Sequence, residues 1–371
     1  MTDKPLAVRP YFPNLDILRF IAAFFVLFGH CVTAGLDYLS LPYPFKNVAS
    51  LICNGSNWVS LFFVLSGFLL GYLATTDKMR NEFSFKKFMI RRALRIWPLY
   101  FLFVFIGYFV VPLIVKLFLG KIYTYTTLPY FMLFLGNFAM KQMYELNDFT
   151  LIPGNTSILW SISIEEQFYI VLGLALLVCS VKKIKWLLLG LALSGIVYIL
   201  MAKNRGSAFS FHTFYYLLDF FAGALLGYVF LQKRNWLDKL RDKNKLLGFI
   251  LIAALLFIVL VQHLFSIKII LVFWFVLLIF YLVFYDINIT SGLKKAEWLN
   301  YGGKLSYGIY VIHPVFQYAF YLLIGKYLSG FGQFNKDMLT LLLTSVFTFY
   351  FAHLSYKYFE SYFLRLKNKF Y

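Results

Sequence analysis

The sequence predicts an all-α, polytopic integral membrane protein with about ten transmembrane helices and one re-entrant segment. The first observation is composition. The 371 residues are 61% hydrophobic and only 14% charged, with mean hydropathy +0.74. Soluble chains run near 45–50% apolar and about 25% charged. The second is length: apolar runs of about 18–22 residues recur along the chain, enough to cross a hydrocarbon core. The third is an absence of the ten-residue alternating segments of a β-barrel. Lipid offers bare N–H and C=O groups no partner, so runs of this kind fold as helices.

In chain order the spans fall near residues 14–35, 57–76, 97–118, 157–180, 186–202, 213–231, 247–263, 268–285, 306–325 and 338–359. The first carries Arg19 and His30 and lacks a clear cleavage site, so it reads as a retained helix rather than a signal peptide. The second contains FFVLSGFLLG, where Ser66 and Gly67 suit close helix packing. The third follows a basic loop ending in RRALRIWPLY. Residues 128–139, LPYFMLFLGNFA, are apolar but too short to span. A re-entrant or interfacial segment fits them, since such backbone is tolerated where protein or a cavity surrounds it. The fourth span opens with TSILWSISIEEQFYI, and the next four are apolar runs divided by short loops. The ninth holds LSYGIYVIHPVF, and Glu360 closes the tenth with Lys357 as a nearby partner. One membrane domain covers 1–371, with no internal repeat and no soluble extracytoplasmic domain expected.

Ten crossings put both termini on one side. Most of the 35 lysines and arginines fall in loops on that N-terminal side, which the positive-inside rule makes cytoplasmic. Lys268 counts with the few on the other side. The net charge of +19 is that bias, with part of the excess available to an anionic cofactor or lipid headgroup. Nucleic-acid binding is disfavoured because the basic residues sit in short interspan loops. Three cysteines, Cys31, Cys53 and Cys179, make neither a CxxC pair nor a disulfide framework. No metal-ligand spacing and no glycine-rich phosphate loop is present.

Ionisable groups inside spans are costly and mark function by default. Arg19 and His30 lie eleven residues apart. That is about 20° past three full turns and about 16 Å along the axis, so they share a helix face. The pattern suggests a channel with an anion anchor at one end and a base at the other. The plainer alternatives are snorkelling of Arg19 beside Asp16 and a structural histidine. Arg92 and Arg95, three apart at the membrane edge, suit bidentate phosphate binding, and Arg91 stands beside them. Glu165 and Glu166 lie too deep in the fourth span for a helix cap. One of them is a candidate ion partner for Arg19 or His30, or a simple internal counter-ion. Ser306, Tyr307, Tyr310 and His313, ahead of Pro314, line a polar cavity or make interhelical hydrogen bonds. His212, His263, His353 and Asp219 near span ends receive no role.

The ordered set LDILRFIAAFFVLFGH, FFVLSGFL, RRALRIWPLY, WSISIEEQFY and LSYGIYVIHP resembles the membrane acyltransferase-3 family, bacterial O-acyltransferases that modify cell-surface sugars. The resemblance runs from about residue 14 to 360. It implies acetyl-CoA or a related acyl-CoA as donor, without a metal, and a hydroxyl of a glycan or lipid-linked sugar as acceptor. It implies His30 and Glu165 as catalytic residues and Arg19, Arg92, Arg95 and Arg91 at the donor. Tyr310, His313 and Ser306 match the last motif, on the acceptor side. Many relatives add a C-terminal hydrolase-like domain, which this sequence does not show. By that analogy the chain delivers the acyl group itself or hands it to a separate protein. His30 would either deprotonate the acceptor or carry the acyl group. The implied location is the inner membrane of a bacterium. The rival class is a transporter or flippase using Arg19, Glu165, His30 and His313 as an ion pathway, which the lack of internal symmetry disfavours.

Overall fold

The computed structural model describes residues 11–36, 45–120, 125–203, 205–232, 244–261, 267–285 and 297–370. Among them all regular structure is helical, with no strand. The helices are α1 (Pro13–Leu36), α2 (Phe45–Cys53), α3 (Gly55–Met79), α4 (Phe85–Phe105), α5 (Val111–Leu119), α6 (Leu128–Met132), α7 (Gly136–Leu146) and α8 (Trp160–Val178). They continue as α9 (Val181–Ala202), α10 (Leu217–Gln232), α11 (Asn244–Val261), α12 (Ile267–Phe284), α13 (Glu297–Tyr327), α14 (Gln333–Leu354) and α15 (Ser361–Lys367). Eight segments are long and apolar enough to cross a membrane: 13–32, 55–79, 85–117, 156–178, 181–202, 213–232, 297–327 and 333–367. Two shorter apolar helices, Leu246–Ile258 and Lys268–Phe284, fall at the seventh and eighth expected spans. His263 lies outside the described residues. Outward faces of α8 and α9 expose Leu174, Val178, Trp186, Val197 and Leu200, a lipid-compatible surface too apolar for water.

The expected re-entrant stretch is two short helices, α6 and α7, neither of membrane-spanning length. A turn separates them at Phe134, whose φ is 55°. Two π-helical turns interrupt longer helices, Ile106–Val110 after α4 and Ser355–Glu360 between α14 and α15. The second carries Tyr356 and Glu360, and such turns are frequent at functional sites.

The centre of the bundle is the α3–α10 crossing. Gly67 and Gly71 on α3 face Gly223 and Gly227 on α10, each pair four residues apart. A Cβ on Gly71 would meet Ala224 Cα at 2.6 Å, and one on Gly227 would meet the Phe68 carbonyl at 2.5 Å. Only hydrogen at these positions lets the backbones touch, the usual device for helices that gain nothing hydrophobic from each other in lipid. Phe63, Val64, Phe68, Phe220, Phe221 and Ala224 fill the surrounding core. The expected packing role of Gly67 is realised here.

Lys268 is not the loop charge that its sequence position suggests. Its Nζ donates to Asp219 Oδ1 at 2.6 Å and to Ser60 Oγ, and it lies 4.2 Å from the Tyr216 ring centroid. Asp219 is fully buried. This pair ties α12 to α10 and α3 and gives Asp219 a structural role.

Candidate active site

The ends of α1, α4, α13 and α15 that carry Asp16, Arg92, Gly303 and Arg365 converge on a cavity of about 620 Å³. Arg19 enters it from α1. Its Nη1 donates to Asp16 Oδ1 at 2.9 Å, and Tyr11 OH donates to Asp16 Oδ2 at 2.8 Å. The plainer expectation, Arg19 held beside Asp16, is realised here, in a residue that also lines the cavity.

Helix α4 starts where Ser84 caps the Lys87 N–H. Arg92 and Arg95, on one face, both line the cavity. Arg91 does not. One residue earlier means about 100° of rotation, which turns its side chain into the protein. There Nη2 donates to Asp77 Oδ2 at 3.1 Å and Nη1 to the Phe370 carbonyl at 3.0 Å. The expectation that Arg91 joins Arg92 and Arg95 at the donor is corrected: Arg91 ties the C-terminal segment to α4.

The two acids of α8 diverge for the same rotational reason. Glu165 faces the cavity and accepts hydrogen bonds from Ser66 Oγ at 2.6 Å and from Tyr169 OH. Glu166 is buried and accepts from Trp97 Nε1 at 3.2 Å, and its Oε1 has no hydrogen-bond partner among the described residues. Neither glutamate is ion-paired with Arg19 or His30. Arg19 already has Asp16, and His30 turns to another helix.

From α13, Ser306, Tyr307 and Tyr310 line the cavity. Ser306 donates to the Gly303 carbonyl and Tyr307 to the Ile96 carbonyl. Tyr310 closes the inner end: its hydroxyl lies 2.5 Å from Ser161 Oγ, and its ring meets Phe62 edge-on at 5.8 Å. One turn further, and 6.1 Å away between ring centroids, is His313. His313 is fully buried. Its Nε2 lies 3.0 Å from His30 Nδ1, with the rings stacked at 5.3 Å and 19°.

His30 therefore sits just past the cavity's inner end, outside the lining residues and surface-exposed. Its position is fixed from both sides. Gly29 packs so closely on the Cys53 carbonyl that a Cβ would overlap it, while a Cβ on Gly55 would lie 3.5 Å from His30 Nε2. The Gln317 amide donates to the His30 carbonyl.

Several cavity residues have no local signal in the sequence. Lys304, Arg365 and Lys367 line it but look like ordinary topogenic charge. Glu360 lines it too, accepting from Ser355 Oγ at 2.8 Å rather than pairing with Lys357. Ser66, assigned above to packing, is a wall residue. Cations (Arg19, Arg92, Arg95, Lys304, Arg365, Lys367) outnumber carboxylates (Asp16, Glu165, Glu360) on the wall, which suits a polyanion. Among the described residues no cluster of three or more His, Cys, Asp or Glu could hold a metal.

No solved structure matches the chain. It is 28% identical over 131 residues to an uncharacterized protein of Haemophilus influenzae, covering 33% of this chain and 50% of that one. It is 29% identical over 172 residues to nodulation protein 10 of Rhizobium leguminosarum bv. viciae, covering 44% of each. The chain thus spans about half the length, or less, of these two relatives. With the "Putative acetyltransferase ORF330" of Acidianus two-tailed virus it shares 26% identity over 315 residues, 82% of this chain and 83% of that one. A family model described as an acyltransferase domain, Acyl_transf_3, matches residues 12–357. That match takes in α1, the arginines of α4, the glutamates of α8 and the Tyr310–His313 turn of α13, and so the chain belongs to the Acyl_transf_3 acyltransferase family of multi-pass membrane proteins.

Proposed function

We propose that this protein is an integral-membrane O-acyltransferase, specifically an O-acetyltransferase, of a bacterial inner membrane. It moves the acyl group of cytoplasmic acyl-CoA to a hydroxyl of a cell-surface polysaccharide or lipid-linked glycan. One observation carries the reading: a cation-lined cavity opens at the N-terminal ends of α1 and α13 and stops at Tyr310, one turn from the His30–His313 pair. The charge bias of the loops supports a cytoplasmic mouth and cytoplasmic termini, and the name of the Acidianus virus relative supports an acetyl donor.

The chemistry follows from that layout. CoA phosphates are too polar for lipid and stay at Arg92, Arg95 and Arg19, which offer forked N–H donors. The pantetheine arm extends along Ser66, Glu165 and Tyr169. Glu165 orders this wall through its two hydroxyl donors. Parting of Tyr310 from Ser161 admits the thioester to His30. There Nε2 takes the proton of the acceptor hydroxyl as its oxygen attacks the thioester carbon. The C–S bond breaks, and the CoA thiolate leaves with the proton that His30 returns. The products are the ester and free CoA thiol, and His30 ends as it began. Tyr310 and Ser306 line the donor cavity and the buried His313 backs His30, so the acceptor reaches His30 from the Gly55 side.

The test compares surface glycans by mass spectrometry from cells carrying wild-type protein or His30→Ala. An added acetyl mass that requires wild-type protein supports the reading. Glycans unchanged by the gene, or transport activity that persists in the absence of acyl-CoA, overturn it.

A further inference from the structure

We propose that His313 is a positioning residue that fixes the tautomer of His30, leaving His30 Nε2 bare to accept a proton. This deepens the proposed function and rests on it for the role of His30, but the tautomer itself stands on geometry alone.

His313 immediately precedes Pro314 within α13. Proline has no N–H, so the carbonyl four residues back, that of Tyr310, loses its helical donor. The His313 imidazole lies over the turn just ahead of Pro314. Its Nδ1 lies 3.0 Å from the Ile309 carbonyl oxygen. Carbonyl oxygens only accept, so Nδ1 of His313 carries hydrogen. His313 is fully buried, with its two ring nitrogens against the Ile309 carbonyl and His30. A second proton on Nε2 would bury a cation with no carboxylate against it, at a cost that neutral imidazole avoids. Nε2 of His313 therefore holds a lone pair.

That lone pair points at His30 Nδ1, 3.0 Å away. Two lone pairs at this distance repel, so His30 Nδ1 donates. A neutral imidazole has one N–H, which leaves Nε2 of His30 as the base. This nitrogen faces Gly55, where a missing side chain leaves room beside it. The unusual tautomer places the reactive nitrogen outward. The ordinary Nε2–H tautomer would turn a donor toward the acceptor hydroxyl and stop proton abstraction. When His30 takes a proton, the Nδ1–H bond to neutral His313 strengthens and holds the imidazolium in place.

The test is histidine-selective ¹⁵N NMR on the full chain in nanodiscs, with His30 assigned by its loss in His30→Gln. Wild type is expected to show His30 protonated at Nδ1 and bare at Nε2. His313→Leu is expected to move it to the Nε2–H form. His313→Gln, whose amide oxygen can still accept from Nδ1, is expected to retain the wild-type form and guards against loss of folding in the leucine variant. Acetyl transfer from labelled acetyl-CoA should fall in kcat on the order of 10²–10⁴-fold in His313→Leu, with the KM for acetyl-CoA unchanged. His313→Gln should recover most of it. An Nε2–H His30 in wild type, or a glutamine variant indistinguishable from leucine, overturns the proposal. A tautomer shift as described, alongside transfer undiminished in His30→Ala, upholds the tautomer control and removes His30 as the base; the same shift with no transfer by wild type removes the acyl-transfer reading instead.

Discussion

Removing one partner of the Lys268–Asp219 pair is the most direct test of how this bundle is held together. Nζ and Oδ1 are 2.6 Å apart, which at an effective dielectric of about 20 is worth about 6 kcal/mol of attraction. Dehydrating both ions takes much of that back. The hydrogen bond to Ser60 and the Tyr216 ring below Nζ offset part of the dehydration. Asp219 Oδ2 has no hydrogen-bond partner among the described residues, so the carboxylate depends on Lys268. Lys268→Met leaves a fully buried carboxylate alone and should cost about 3–5 kcal/mol. The double variant Lys268→Met/Asp219→Leu removes both charges and should lie within about 1 kcal/mol of wild type or above it. Unfolding of the purified protein in mixed micelles with increasing dodecyl sulfate measures all three. A lysine variant as stable as wild type would refute the reasoning. So would a double variant that loses as much stability as the lysine variant or more.

Other perturbations follow from the same geometry. Gly71→Leu should abolish folded protein, since even a Cβ there lies 2.6 Å from Ala224; size-exclusion chromatography of the detergent extract reads this. Arg92→Gln with Arg95→Gln should raise the KM for acyl-CoA about tenfold or more while kcat changes less, as expected for lost phosphate contacts. Gly55→Leu should silence transfer with the fold intact, because the side chain would occupy the space beside His30 Nε2; circular dichroism and acetyl incorporation together check it. His212 lies in the loop ahead of the 213–232 span, and burial followed by the Lys141 charge holds its pKa below the ordinary 6.5. The unfolded chain then binds the proton more readily, so stability should fall as pH drops below 6.5. His212 Nδ1 also accepts the Phe214 N–H, and protonation removes that cap. His212→Asn, which keeps an acceptor, should flatten the pH dependence in thermal melts.

The sequence by itself determined the membrane class, the approximate position of eight long spans and part of the cavity wall, with Arg19, Arg92, Arg95, Glu165 and Tyr310 among it. Those properties are written in one dimension: a span is a run of apolar residues, and Arg92 and Arg95 share a face because three residues make nearly a full turn. The tertiary structure alone decided the partners. It turned Arg91 onto Asp77 and Phe370, gave Glu165 to Ser66 and Tyr169, and set His30 against His313, 283 residues away in sequence. It also brought Lys304, Glu360, Arg365 and Lys367 to the same mouth. Helical periodicity says which way a side chain points from its own axis. Which neighbouring helix it meets depends on how glycine-rich faces such as those of α3 and α10 let backbones close together, and no local window of residues contains that information.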